Sequence, residues 1–336
     1  MATGAWRHDS RANAVVASNL PLGLRARNNL PRGIRLELWI PITIIAAFLQ
    51  NLRSVGQKHL KAVMGTTGAT FVRFGFGLPF ALLYVALLHR VVGYALPTPS
   101  TVFFGWVVVG GIGQIAATFL LVHLFSFRNF AVGTAYSRTE PAQAALFGLL
   151  FLGETVTAGA LMAIAVSVFG VMLISVAHSA MTARNLLATT FSRNAMIGLA
   201  SGTAFGISAV AYRAASLSLG GPNFIMQAAI TLLVVILFQT IIMAVWMLAR
   251  DRAELGRIAK AWRPALFVGF VGATASFGWF MAMTLQQAAI VKALAQVEMI
   301  FTFASSIFFF REKINRYETA GCILIVGGIL LLLFVD

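Results

Sequence analysis

Glu140 and Glu298 stand where a membrane helix tolerates charge least, each about ten residues into a long apolar run. An ionisable group at that depth costs roughly 2.5–3.5 kcal/mol on insertion scales, so it normally faces a wet cavity, a partner charge or a proton path. Desolvation raises a carboxylate's affinity for protons and a nearby arginine lowers it. Between those effects a carboxylate can load and release a proton, or gate a substrate. The plainer alternative is two buried acids that clamp neighbouring helices through arginines. Pro141 follows Glu140 directly. Inside a helix it would remove the backbone hydrogen bond to the Ser137 carbonyl and kink the axis. Tyr136, Glu140 and Gln143 fall at i, i+4 and i+7 and would share one face. Arg138 would point about 200° away from Glu140 on the same helix. It must therefore find an acid or a carbonyl elsewhere, or line a cavity.

The deep cations come next. In the first apolar stretch Gln50, Ser54, Gln57, Lys58 and Lys61 recur on one helical stripe, with Asn51 and Arg53 flanking it. Lipid does not accept such a stripe, so it lines an aqueous vestibule or a polar helix contact. Arg73 lies about a third of the way into the second stretch, deep enough for a substrate role yet within reach of the interface by snorkelling. Lys292 and Arg213 sit nearer stretch ends, where snorkelling is the expected use. Neutral candidates for the same cavity are Tyr212 with Ser201 and Ser208, Gln227 with Asn223 and Thr231, Gln114 with Thr118, and Trp279 with Met283. Each of these sets also suits plain helix–helix packing.

These residues need elements to hold them. The 336-residue chain is 59% hydrophobic and only 10% charged, with a mean hydropathy of +0.87. Soluble domains carry about 25% charge. Runs such as Ile323 to Val335, Leu232 to Leu248 and Leu146 to Phe169 contain almost nothing ionisable. Their length fits a helix across about 30 Å of hydrocarbon, and their lack of alternation excludes a barrel. The single cysteine, Cys322, cannot close an intramolecular disulfide, and no zinc spacing exists. The net charge of +15 fits loop cations facing anionic lipid rather than nucleic acid. No Walker loop, HExxH or membrane-depth aspartate pair occurs. Neither an enzyme nor any cofactor or metal is expected.

About ten apolar spans can be drawn: 38–58, 67–89, 101–125, 130–152, 157–177, 195–217, 222–249, 264–285, 287–310 and 317–335. An offset of about 158 residues lays the second half on the first without a gap from the third span onward. Gly111 meets Gly269, Phe119 meets Phe277, Glu140 meets Glu298, Glu154 meets Glu312 and Gly170 meets Gly328. With 10 acids in the whole chain, two coincident glutamate pairs are the informative matches. Thr157 and Asn315 also superpose, the latter opening a capping box with Glu318. Glu154 and Glu312 belong to turns rather than to a transport path. The expected fold is an all-α membrane protein of ten transmembrane helices, an inverted repeat of two five-helix halves. Its parts would be a disordered basic tail (1–36, before an apolar start with no signal peptide), a first half (37–178), a linker (179–194) and a second half (195–336).

The stretch from Thr139 through Pro141 and Gly153 to Glu154, with the Gly-rich span after it, resembles the EamA repeat. Gln296 to Glu312 and Gly321 to Gly328 resemble its second copy, with Arg311 in place of the usual glycine before Glu312. The resemblance is to the drug/metabolite transporter superfamily. It implies ten helices, both termini cytoplasmic in a cell inner membrane, and export or exchange of metabolites, amino acids or drugs. With the termini inside, the loop 250–263 lies outside although it holds five basic and two acidic residues, against the positive-inside bias.

Together these readings point to a secondary carrier for small metabolites such as amino acids or organic anions, working as monomer or homodimer in lipid. Glu140 and Glu298 would couple protons or gate. Arg138, Arg73, Arg53, Gln50, Gln57, Tyr136, Tyr212, Gln227 and Trp279 would complete the site. Efflux of cationic drugs and a non-transporting receptor or assembly subunit are the alternatives.

Overall fold

The structure, a computed structural model, describes residues 37–124, 127, 130–177, 193–221, 223–301 and 316–335. The expected tail, residue 178 of the first half, residues 179–192 of the linker, and Arg311, Glu312 and Asn315 lie outside the described residues, as does the Lys58 side chain.

Every described regular element is a helix. In chain order they are α1 (Trp39–Leu60), α2 (Thr66–Gly75), α3 (Leu78–Arg90), α4 (Thr101–Leu124), α5 (Phe130–Ser137), α6 (Glu140–Leu152), α7 (Ala158–Ala177), α8 (Arg193–Ser218), α9 (Phe224–Arg250), α10 (Arg252–Lys260), α11 (Trp262–Leu285), α12 (Ala288–Leu294) and α13 (Arg316–Val335). Six described helical stretches are long and apolar enough to cross a membrane: Thr66–Arg90, Thr101–Leu124, Arg193–Ser218, Phe224–Arg250, Trp262–Leu285 and Arg316–Phe334. Outward-facing Leu150, Ile241, Val245 and Phe334 are exposed. They form the apolar coat that a lipid-facing surface requires.

Three expected spans are not single helices. The second breaks at Phe76–Gly77 into α2 and α3. The fourth breaks at Arg138–Thr139 into α5 and α6, and the ninth breaks at Ala295–Gln296, after α12 and before helical residues 297–301. Pro141 therefore does not kink a continuous helix. It occupies the first turn of α6, where its missing N–H costs nothing. The connection 250–263 also differs from the expected loop, since it carries α10. The last linker residues, Arg193 and Asn194, already belong to α8.

Helix ends follow local chemistry. Gly153, at φ 66°, closes α6 in the left-handed conformation, with its N–H on the Leu149 carbonyl and the Glu154 N–H on the Gly148 carbonyl. Thr157 Oγ1 accepts from Ala160 N–H at 3.1 Å and starts α7. Asn223 Oδ1 accepts from Ile225 and Met226 N–H at 3.0 and 3.2 Å and starts α9. The α2 start is capped from far away in sequence. Glu254 on α10, 1% exposed, takes Gly65 N–H with both carboxylate oxygens at 3.0 and 2.9 Å and also pairs with Arg257.

The main packing joins the two halves of the sequence: α1 on α11, α4 on α8, α6 on α12, and α7 on α13. Under the 158-residue offset α1 corresponds to α8 and α4 to α11, so the first two pairings are copies of one contact. The equivalent helices α7 and α13 lie antiparallel. Gly170 backs onto Gly321, and Gly328 onto Ala163 and Ser167. Without water between helices, close backbone approach is the main source of adhesion, and small residues permit it. A Cβ at Gly198 of α8 would run into the Gly133 carbonyl of α5, whereas Gly105 has open space. Gly198→Ala should therefore cost about 1–3 kcal/mol by overpacking and lower the thermal midpoint of the detergent-purified protein. Gly105→Ala, in a helix interior, should leave it unchanged or raise it.

Candidate functional site

The polar residues of α1, α4, α8, α11 and the broken helices converge on a cavity of about 110 Å³. Of the residues expected from sequence, it is lined by Gln50, Arg53, Arg73, Arg138, Glu140, Tyr212, Trp279 and Glu298. Gln57, Tyr136 and Gln227 are placed elsewhere. Gln57 donates to the Ala69 carbonyl at 3.0 Å, and Gln227 donates to the Gly220 carbonyl at 2.7 Å. Tyr136 is buried on α5. The face shared by Tyr136 and Glu140 in a continuous helix is lost at the Arg138–Thr139 break. Gln143 turns to Thr139 Oγ1 at 2.6 Å.

Both glutamates sit at the start of a half-helix. Glu140 opens α6, and Glu298 lies in the first turn of residues 297–301. Unsatisfied backbone N–H groups give a helix N-terminus a positive field, which favours an acid there. Each carboxylate then takes a cation from the other half of the chain. Glu140 Oε1 is 2.8 Å from Lys292 Nζ on α12, and Glu298 Oε2 is 3.3 Å from Arg138 Nη1. A short polar relay connects the two pairs. Gln50 donates to Glu298 Oε2 at 3.0 Å and accepts from Trp279 Nε1 at 3.0 Å, while Lys292 Nζ lies 5.1 Å from the Trp279 ring centroid. Gln296, the offset counterpart of Arg138, donates to the Arg138 carbonyl at 3.3 Å.

Two sequence expectations, for Lys292 and Arg213, are corrected here, and the choice left open for Arg73 is narrowed. Lys292 does not snorkel, because Glu140 is within its reach. Arg73 is 5% exposed and lines the cavity rather than reaching the interface. Arg213 also stays inside. It pairs with Glu154 at 2.6 Å and donates to the Met283 and Gln286 carbonyls at 2.6 and 2.7 Å. Those carbonyls end α11, where a cation meets the negative end of the helix dipole. Glu154 thus belongs to turn structure, as its position suggested.

The inner wall is neutral and hydrogen-bonded. Tyr212 donates to the Gly110 carbonyl at 2.9 Å and contacts Gln114 Oε1 at 3.0 Å. Gln239 donates to Gln114 Oε1 at 2.9 Å and Tyr212 Oη at 3.1 Å. A Cβ at Gly110 would meet the Tyr212 ring at 2.5 Å, so only glycine lets that phenol reach its place. Sequence reasoning missed Lys292, Ser276 and Gln239. The i, i+3, i+7 spacing of Ser276 with Trp279 and Met283 on α11 was the available signal for Ser276.

A family model, EamA-like transporter family, matches residues 37–176 and again 193–334. The chain belongs to the EamA-like transporter family. It is accordingly a multi-pass membrane protein of a transporter family, built as a tandem EamA repeat, and the two matched segments are the halves whose residues meet at the cavity. No curated protein matches it significantly in sequence. A solved structure described as "Crystal structure of protein" is similar in fold, with TM-score 0.63 and 16% identity over 87% of this chain and 94% of that one.

The cross-half pairing has a measurable consequence. Lys292→Met leaves Glu140, half-buried on the cavity wall, without its cation, and should destabilise the protein by roughly 1–3 kcal/mol. Adding Glu140→Gln should recover a large part of that loss. Thermal unfolding of the two single variants and the double variant in detergent measures the coupling.

Proposed function

We propose that this EamA-like protein is a secondary active transporter that moves a small anionic metabolite by alternating access. Two five-pass halves of opposite orientation would rock about the shared cavity. The ten passes would be α1, α2–α3, α4, α5–α6, α7, α8, α9, α11, α12 with the helix after it, and α13. One observation carries the reading: a polar cavity at the seam between the repeats gathers Arg53, Arg73, Arg138 and Glu140 of one with Lys292 and Glu298 of the other. Broken helices at a repeat interface are where carriers of this architecture bind substrate.

Glu140 and Glu298 act in this reading as gates. Each is bound to a cation of the opposite half, so relative motion of the halves must loosen or exchange those pairs. Substrate anions that compete for Arg138 and Lys292 would lower the cost of doing so. Four cations line the cavity against two carboxylates among the described residues, and that balance opposes cationic drugs as cargo. In this reading both termini lie in the cytoplasm of an inner-membrane protein, which family resemblance supports and the charge of the 250–263 connection opposes. Export or exchange fits the same arrangement.

Proteoliposomes test the reading. Uptake or counterflow should be largest for acidic compounds, smaller for zwitterions and absent for cations. Glu140→Gln and Glu298→Gln should each lower the rate by about tenfold or more, the size expected when an interaction of roughly 1.4 kcal/mol is lost from the rate-limiting step. A purified, folded protein that transports none of the three classes would leave the receptor alternative standing. For orientation, Arg257→Cys in a Cys322→Ser background should react with an impermeant thiol reagent from outside intact cells.

A further inference from the structure

Arg53 on α1 and Arg73 on α2 are 7% and 5% exposed, and both line the cavity. Their stems flank Gly272 of α11, where a Cβ would stand 3.2 Å from Arg53 Cδ and 3.6 Å from Arg73 Cγ. Nε and Nη1 of Arg53 and Nε of Arg73 are buried without a hydrogen-bond partner among the described residues. A guanidinium cannot shed its proton in a protein and offers five donors in a fixed plane. Unlike Lys292 and Arg138, neither arginine is held by a carboxylate at ion-pair distance among the described residues. The acids that could serve are committed, Glu298 to Arg138 and Gln50, Glu140 to Lys292. Among the described residues the cavity therefore carries a formal excess of two positive charges, located at these arginines.

Resting on the carrier reading above, we infer that Arg53 and Arg73 form a seat for a doubly charged anion: a small dicarboxylate or a phosphate monoester. Two guanidinium groups match the planar, bidentate demand of carboxylate and phosphate oxygens, and two charges neutralise the excess. A monoanion leaves one arginine uncompensated in a site of low dielectric. A zwitterionic amino acid additionally brings an ammonium, for which both nearby carboxylates are already occupied. Gln114, Ser208, Ser276 and Tyr212 on the same wall supply neutral groups for the rest of the molecule.

The test is equilibrium binding to the purified full-length protein in detergent, read by thermal shift and by calorimetry, so it does not depend on transport. Succinate is compared with its monoamide succinamate, and glycerol 3-phosphate with its methyl ester. Each pair keeps the skeleton and removes one charge, and the two pairs separate carboxylate from phosphate as the preferred source. At least one dianion should bind about tenfold tighter than its partner. Arg53→Gln and Arg73→Gln should each weaken that binding by about 10-fold to 100-fold, the worth of a hydrogen bond to a charged group. If either variant fails to fold, Gly272→Ala, whose Cβ crowds the Arg53 stem while both charges are kept, should weaken the same ligand several-fold. Equal binding of monoanion and dianion, or a preference for alanine or a cation over every dianion, overturns the proposal. Dianion binding with no uptake into vesicles supports the seat and overturns the carrier reading instead.

Discussion

A charge inside a bilayer must be matched or hydrated, and in this protein the matching crosses the seam between two repeats. Six ionisable side chains line one cavity, a load of roughly 15–20 kcal/mol on insertion scales if each stood alone in hydrocarbon. Half-helix N-termini relieve part of that cost for Glu140 and Glu298. Lys292 and Arg138 relieve more, and each comes from the opposite half. Neither half could fold into lipid with its own charges settled, so the site and the assembly of the halves are one problem.

Close backbone approach is what makes the matching geometrically possible. Gly110 admits the Tyr212 ring, Gly272 gives room to the stem of Arg53, and Gly198 lies against the backbone of Gly133. The ends of the bundle are tied by the same logic of charge against backbone. Glu254 caps α2 near the start of α11, and Arg213 caps the far end of α11, about 36 Å away along a 24-residue helix. The first tie joins the halves directly, and Arg213 joins them through its pairing with Glu154. A bundle fastened at its two ends and hollow between them can hold water or an anion at its centre without exposing that centre to lipid.

Much of this was legible in the residues. Long apolar runs and scarce charge identified membrane helices, because hydrocarbon cannot solvate peptide groups. The common offset of Glu140 with Glu298 and of Gly170 with Gly328 exposed the doubling. Depth in the run marked Arg53, Arg73, Arg138 and both glutamates as cavity residues. Other assignments failed for identifiable reasons. Periodicity assumes one unbroken helix, so the face drawn through Tyr136 and Glu140 dissolved at the Arg138–Thr139 turn. Distance from a run's end suggested snorkelling for Lys292 and Arg213, but a nearby carboxylate offers a better partner than a distant headgroup. The short helix at 252–260 was obscured because its apolar face is small and its buried acid resembles a loop charge.

Sequence by itself determined the solvent of each segment and the existence of two copies, since hydropathy and repetition are one-dimensional properties of the chain. Tertiary structure alone decided which cation serves which acid, and hence that Arg53 and Arg73 have none at ion-pair distance among the described residues. Pairing depends on azimuth and on which helix lies opposite, and those are fixed only when glycine contacts bring α1 against α11 and α4 against α8.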